Sequence, residues 1–160
     1  MTERYEPASD FLKAVVAEEV PLSGSAFADA NMRQLIAMTR DDDLSNRDWA
    51  TMLLASEEAD TPEIREALLS AANDENDVVR AEALVGIAQR DPRLALPLVL
   101  EALSGEQVSM PVFEAAALVA DPALVDVLRP WTEPSDDEWL DQLAREALAA
   151  CEKITPFPSF

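Results

Sequence analysis

A nine-residue string that recurs four times constrains the fold of this chain more than any other feature. The copies share alanine at the fourth and ninth positions and an aliphatic residue at the eighth. They read RDWATMLLA from Arg47, RAEALVGIA from Arg80, VFEAAALVA from Val112 and DQLAREALA from Asp141. Their starts are 33, 32 and 29 residues apart. A period of about 30 residues with helical spacing inside each copy predicts stacked helical repeats.

Three evenly spaced prolines mark another helix in each repeat, which precedes the helix that carries the string. Pro62, Pro92 and Pro122 each follow a threonine or an aspartate. Proline suits the first position of a helix, and the preceding side chain can accept a hydrogen bond from the first turn. The sequence therefore predicts hairpins with a proline-led first helix and an alanine-rich second helix. The earliest hairpin takes residues 26–40 as its first helix.

The best-conforming segment, NDVVRAEALVGIAQ with DPRLALPLVLEAL after it, resembles the HEAT repeat in its short, phycobilisome-lyase-like form. The matching positions are Asp77, Val79, Arg80, Ala83, Leu84, Gly86 and Ile87, with Arg47 and Ala50 in the preceding unit. Val112 and Asp141 depart from the pattern, because each stands where the family has arginine. The resemblance implies that Arg47 and Arg80 bond the acidic turn of a neighbouring unit, through Asp43, Asp77 or nearby acids.

We therefore expect an all-α fold, a right-handed α–α solenoid of about four short HEAT-like helical hairpins. We expect one domain over residues 1–160, with an N-terminal capping helix in 1–24, repeats over 25–153 and a tail over 154–160. Pro62, Pro92, Pro122, Arg47, Arg80 and Asp77 are the predicted structural residues.

The composition limits the chemistry that the chain can perform. Its 32 acids and 12 bases give a formal charge of −20, which repels nucleic acid and anionic membranes and attracts basic proteins. The chain has no histidine and one cysteine, Cys151, so we expect neither a catalytic site nor a zinc site. The acidic runs at 41–43 and 74–77 lack the glycine of a calcium loop and predict helix caps instead. We expect no metal and no cofactor.

The location follows from the same features. A lone cysteine and a charged N-terminus without an apolar signal segment favour the cytoplasm. The apolar runs are shorter than a membrane span needs.

The outward face of the second helices is the predicted binding surface. If positions four and eight of the string face the core, positions three, six and ten face away from it. The predicted partner-binding residues in this column are Trp49, Met52, Glu82, Val85, Gln89, Glu114, Asp121 and Glu146. In the alternative interpretation, residues 1–24 cover Trp49 and Met52. Trp131 and Trp139 are predicted core or cap residues of the last repeat, or alternatively a surface pair for a peptide proline.

These features favour a non-catalytic scaffold whose acidic concave surface binds a basic protein or peptide. Two alternatives stay open. High acidity and small size also suit an immunity-type inhibitor of a basic toxin. The resemblance implies a bilin lyase or a bilin chaperone as a third possibility.

Overall fold

The computed structural model describes residues 5–152, and within that range the chain is all-α, with no β-strand. The α-helices are α1 Asp10–Val16, α2 Ala26–Met38, α3 Leu44–Ser56, α4 Pro62–Ala71, α5 Asp77–Arg90, α6 Pro92–Leu103, α7 Met110–Val119, α8 Val125–Leu128 and α9 Glu138–Glu152. The tail predicted over 154–160 lies outside the described residues.

The chain forms two compact units, and the boundary between them falls within α5, between Ala83 and Leu84. In the first unit, α2 packs against α3 and α4, and α1 packs against α3. In the second unit, α7 packs against α6 and α9. The prediction of one domain with a solenoid shape remains a prediction.

The three proline positions start helices as the sequence indicates. Pro62, Pro92 and Pro122 each occupy the first turn of a helix or a 3₁₀ turn. The residue before each proline accepts a hydrogen bond, as in the 3.2 Å contact from the Ile64 amide to Thr61 Oγ1. These prolines have the structural role that the sequence assigns to them.

The first helix of the last hairpin differs from its counterparts. It is broken into a 3₁₀ turn Pro122–Leu124, the short helix α8 and a second 3₁₀ turn Arg129–Thr132. Pro130 lacks an amide hydrogen and restricts the residue before it, so an α-helix cannot run through this segment undisturbed.

The fourth position of the string faces the core in every copy. Its four alanines, Ala50, Ala83, Ala115 and Ala144, are all fully buried. A small side chain here lets neighbouring helices approach closely. The ninth position is less uniform, because Ala120 ends α7 with a left-handed backbone (φ 49°) and Ala149 is exposed. The fourth position is therefore the structurally constant one.

The two tryptophans near the last acidic loop have different environments. Trp131 packs edge-on against Phe113, with ring centroids 6.2 Å apart, and its Nε1 donates to the Leu103 carbonyl at 3.1 Å. Trp139 is 63% exposed, so its prediction as a core or cap residue is wrong. It lies four residues before Leu143 on α9, which places both on the outward stripe of that helix.

Candidate protein-interaction site

The first position of the string anchors the turn that precedes its helix. Arg47 Nη1 donates to the carbonyl of Asp41 at 3.1 Å, and Arg80 Nη1 donates to the carbonyl of Asp74 at 2.7 Å. In both repeats the arginine reaches back six residues. The two repeats of the first unit thus share a hydrogen bond as well as a sequence pattern.

Arg47 also links its own repeat to the next one. Its Nε donates to Asp74 Oδ2 at 2.8 Å and its Nη2 to Asp74 Oδ1 at 3.4 Å. The expected ion pair with a neighbouring acidic turn is therefore present, but its partner is Asp74. The carboxylate of Asp43 instead accepts from the Asn46 amide at 3.0 Å and caps α3. Among the described residues, neither arginine bonds the Asp77 carboxylate, which lies in the first turn of α5.

The first position of the last copy, Asp141, also bonds the preceding turn, but as a hydrogen-bond acceptor and not as a donor. Asp141 accepts from the Ser135 hydroxyl at 2.6 Å and from the Ser135 amide at 2.7 Å. It again reaches back six residues, and these bonds hold the pKa of Asp141 below its usual range. Asp141 therefore still connects its helix to the residue six positions earlier. It accepts hydrogen bonds from that residue, whereas Arg47 and Arg80 donate to theirs.

Every residue of the predicted outward column has some exposure to solvent. Among its members, Gln89, Glu114 and Glu146 are exposed, and the others, Trp49, Met52, Glu82, Val85 and Asp121, are partly buried. None of these side chains belongs to the buried core. The carboxylate of Asp121 accepts from the Ala123 amide at 2.8 Å, so it also serves as a cap.

An N-terminal strap, residues 5–9, lies against the start of α3. The Tyr5 ring stacks on Trp49, with centroids 5.7 Å apart and planes inclined by 23°. The Tyr5 hydroxyl donates to Asp48 Oδ2 at 2.7 Å. The amides of Ala8 and Ser9 donate to the side chains of Ser45 at 3.3 Å and Asn46 at 2.8 Å. Part of the N-terminal region therefore contacts Trp49, as the alternative interpretation of the column requires.

A pair of carboxyl groups lies beside this stack. Burial, together with a hydrogen bond to Asp48 and the charge of Asp48, raises the pKa of Glu82 to about 9. With this pKa the Glu82 carboxyl keeps its proton at neutral pH. One oxygen of each residue, Asp48 Oδ1 and Glu82 Oε2, is buried with no amide or hydroxyl donor in the described part of the chain. The proton on Glu82 avoids the repulsion that a second negative charge would suffer beside Asp48.

Desolvation and the Asp48 carboxylate also raise the pKa of Tyr5 above its ordinary value. The Tyr5 hydroxyl therefore stays protonated and keeps its donor role at all physiological pH values. The indole Nε1 of Trp49 is buried with no acceptor among residues 5–152. The sequence pattern indicated Trp49 and Glu82, but it gave no signal for Tyr5 or Asp48, because their roles depend on a contact across 43 residues.

Replacing Glu82 by glutamine should stabilise the protein near pH 8, because glutamine does not ionise. The gain should be about 1 kcal/mol, since water still reaches part of this side chain and weakens the effect. The amide of glutamine can donate to Asp48 as the protonated carboxyl does. A carboxyl whose pKa rises on folding stabilises the fold at low pH, and that contribution is lost as the pH rises through the folded-state pKa. The parent should therefore lose stability between pH 4.5 and about 9, and Glu82→Gln should flatten this slope.

Urea unfolding at pH 5, 7 and 9 measures this effect. Glu114→Gln is the matched control, because Glu114 is the position-three glutamate of the next copy and is exposed. We expect its unfolding curve to follow that of the parent at each pH. A Glu82→Gln variant that is less stable than the parent at pH 9 would contradict the raised pKa of Glu82.

Two surface cavities are lined by residues that do not belong to the column. One surface cavity of about 370 Å³ is lined by Thr39, Arg40, Arg47, Ser70, Ala71, Asp74 and Glu75. A second, of about 240 Å³, is lined by Ile36, Ala37, Arg40, Glu63, Glu66 and Ala67.

Cys151 is buried, and burial raises the pKa of its thiol, which disfavours the nucleophilic thiolate. The described residues contain no group of three histidine, cysteine or acidic side chains arranged to hold a metal ion. None of the helices in residues 5–152 combines the length and the apolar character needed to cross a membrane.

Comparison with known proteins supports the fold. No protein-family model matches the chain. It is 28% identical over 108 residues to two curated relatives, both named protein YibA, from Escherichia coli K12 and Escherichia coli O157:H7. This match covers 68% of the chain and 39% of each relative. A crystal structure of YibA from Escherichia coli aligns with a TM-score of 0.60 and 24% identity, over 86% of this chain and 54% of that chain. The chain thus spans about half or less of the length of the proteins it matches, and shares their helical fold.

Proposed function

We propose that this protein is a non-catalytic, cytoplasmic protein-binding scaffold. In this proposal its short HEAT-like hairpins form a right-handed solenoid, and positions three, six and ten form a concave acidic surface for a basic protein or peptide. The observation that carries the proposal is the contrast between adjacent positions of the string. Position four is a buried alanine in all four copies, whereas position three varies as Trp49, Glu82, Glu114 and Leu143 and is never buried.

Fewer carboxylates in this column are available to a partner than the sequence indicates. Asp121 is engaged as a cap, and Glu82 is protonated at neutral pH. Glu114 and Glu146 are exposed and lie at positions three and six of their copies. We therefore propose that these two carboxylates attract the basic partner, and that Trp49 and Met52 supply apolar contact. An aromatic anchor beside charged groups is typical of interface hot spots.

An arginine-rich synthetic peptide is the direct probe of this proposal. Attraction between exposed charges is screened by salt, so its affinity should fall by about tenfold or more when NaCl rises from 50 to 300 mM. Fluorescence anisotropy of the labelled peptide measures this change. The same peptide with citrulline in place of arginine keeps the length and loses the charge, so it should not bind. Affinity that ignores salt would contradict the electrostatic part of the proposal.

An immunity-type inhibitor of a basic toxin is a special case of the same function. It would bind one partner tightly at physiological salt, whereas a general adaptor would bind several partners with similar affinity.

A further inference from the structure

The contacts between the N-terminal strap and α3 indicate which features a ligand of this part of α3 would need. Two main-chain amides, from Ala8 and Ser9, donate to side chains of α3, and such bonds would form with any extended segment of similar shape. Tyr5 adds the specific part, because its ring stacks on Trp49 while its hydroxyl donates to Asp48. Pro7, two residues later, is buried.

Part of the strap is exposed to solvent where it contacts α3. The Tyr5 side chain is 58% exposed although its ring lies on Trp49. The two bonds that it and Ala8 make to α3 join exposed groups, where water competes for the donors and acceptors. A similar segment from another molecule that displaces the strap would replace these exposed bonds, together with the more buried contacts of Pro7 and Ser9.

We propose that the surface formed by Asp48, Trp49, Ser45 and Asn46 is a peptide-binding site for an extended partner segment with tyrosine followed two residues later by proline, and that residues 5–9 occupy it in the isolated protein. The inference deepens the proposed function, since it names the partner chemistry at the first-repeat end of the column. The apparent affinity for the partner then equals the intrinsic affinity multiplied by the fraction of molecules in which the strap leaves the site open.

The experiment uses a labelled synthetic peptide with the sequence of residues 1–9 and three full-length proteins, which are the parent, Tyr5→Ala and Tyr5→Phe. Fluorescence anisotropy should show the peptide binding to Tyr5→Ala at least about tenfold more tightly than to the parent. Tyr5→Phe keeps the stacked ring and loses the hydroxyl bond, so its affinity should fall between the two. A second peptide with alanine at the tyrosine position should bind none of the three proteins.

Three results would overturn the inference. One is equal affinity of the peptide for the parent and for Tyr5→Ala. Another is equal binding of the alanine peptide. The third is a parent dimer in sedimentation that Tyr5→Ala converts to a monomer, since a second copy would then be the occupant. Far-UV circular dichroism checks that Tyr5→Ala is folded, and Tyr5→Phe decides the matter if it is not. Failure of the arginine-rich peptide to bind any of the proteins would contradict the proposed function and leave the Tyr5 result intact.

Discussion

Replacing Ala83 by aspartate should destabilise the protein by about 4 kcal/mol or more, enough to remove most of the stability of a domain of this size. Ala83 is fully buried and packs with Ala71 and Val79. A carboxylate there would lose its hydration and find no cationic partner in this apolar cluster. It must stay ionised at a high energetic cost, take up a proton, or unfold the surrounding helices.

Thermal unfolding followed by circular dichroism measures the Ala83→Asp effect. A loss of this size should lower the midpoint by at least about 10 °C or remove the cooperative transition. Ala149→Asp is the matched control, because it introduces the same side chain at an exposed alanine of α9. We expect the control to change stability by less than about 1 kcal/mol. If Ala83→Asp melted like Ala149→Asp, the assignment of position four to the core would be wrong.

Replacing Arg47 by methionine should cost about 2–4 kcal/mol, the second largest effect we expect. The change removes two bonds to the Asp74 carboxylate and one to the Asp41 carbonyl. The side chains of Arg47 and Asp74 are only 13% and 9% exposed, so water cannot fully replace the lost guanidinium. Methionine keeps most of the aliphatic packing, which isolates the polar contribution.

Arg129→Met supplies the control for Arg47→Met. Arg129 also pairs with an aspartate, Asp126, but their side chains are 63% and 90% exposed. Exposed pairs of this kind contribute about 0–1 kcal/mol. Urea denaturation of both variants should therefore show a large decrease in midpoint only for Arg47→Met. Equal decreases would mean that the link between Arg47 and Asp74 has no special structural role.

The regular part of the fold could be predicted from the sequence because it depends on local rules. Helical periodicity, a capping residue before Pro62 or Pro92, and a constant small residue at position four each act within a few residues of chain. These rules did not predict the broken helix before Pro130, because a proline interrupts an otherwise apolar stripe there. Trp139 was assigned wrongly because aromatic character alone does not reveal which stripe of α9 faces the core.

The candidate site was predictable only in part, because its chemistry depends on contacts between distant residues. The repeat register placed Trp49 and Glu82 at the same outward position. It could not show that Tyr5 stacks on Trp49, or that burial beside Asp48 raises the pKa of Glu82, since neither follows from spacing along one helix. For the same reason the sequence identified Arg47 as a brace without identifying Asp74 as its partner. Asp141 also looked like a broken repeat until the contact with Ser135 showed the same brace with donor and acceptor exchanged.

In the proposed function the column itself, rather than the overall charge, binds a basic partner. Titration of the arginine-rich peptide into two double variants tests it most directly. One variant carries Glu114→Gln and Glu146→Gln in the column, and the other carries Glu101→Gln and Glu133→Gln at exposed positions outside it. Both lose the same net charge. We expect the column variant to bind the peptide about tenfold more weakly than the parent, and the other variant to bind within about twofold of the parent. Equal weakening in the two variants would contradict binding by the column.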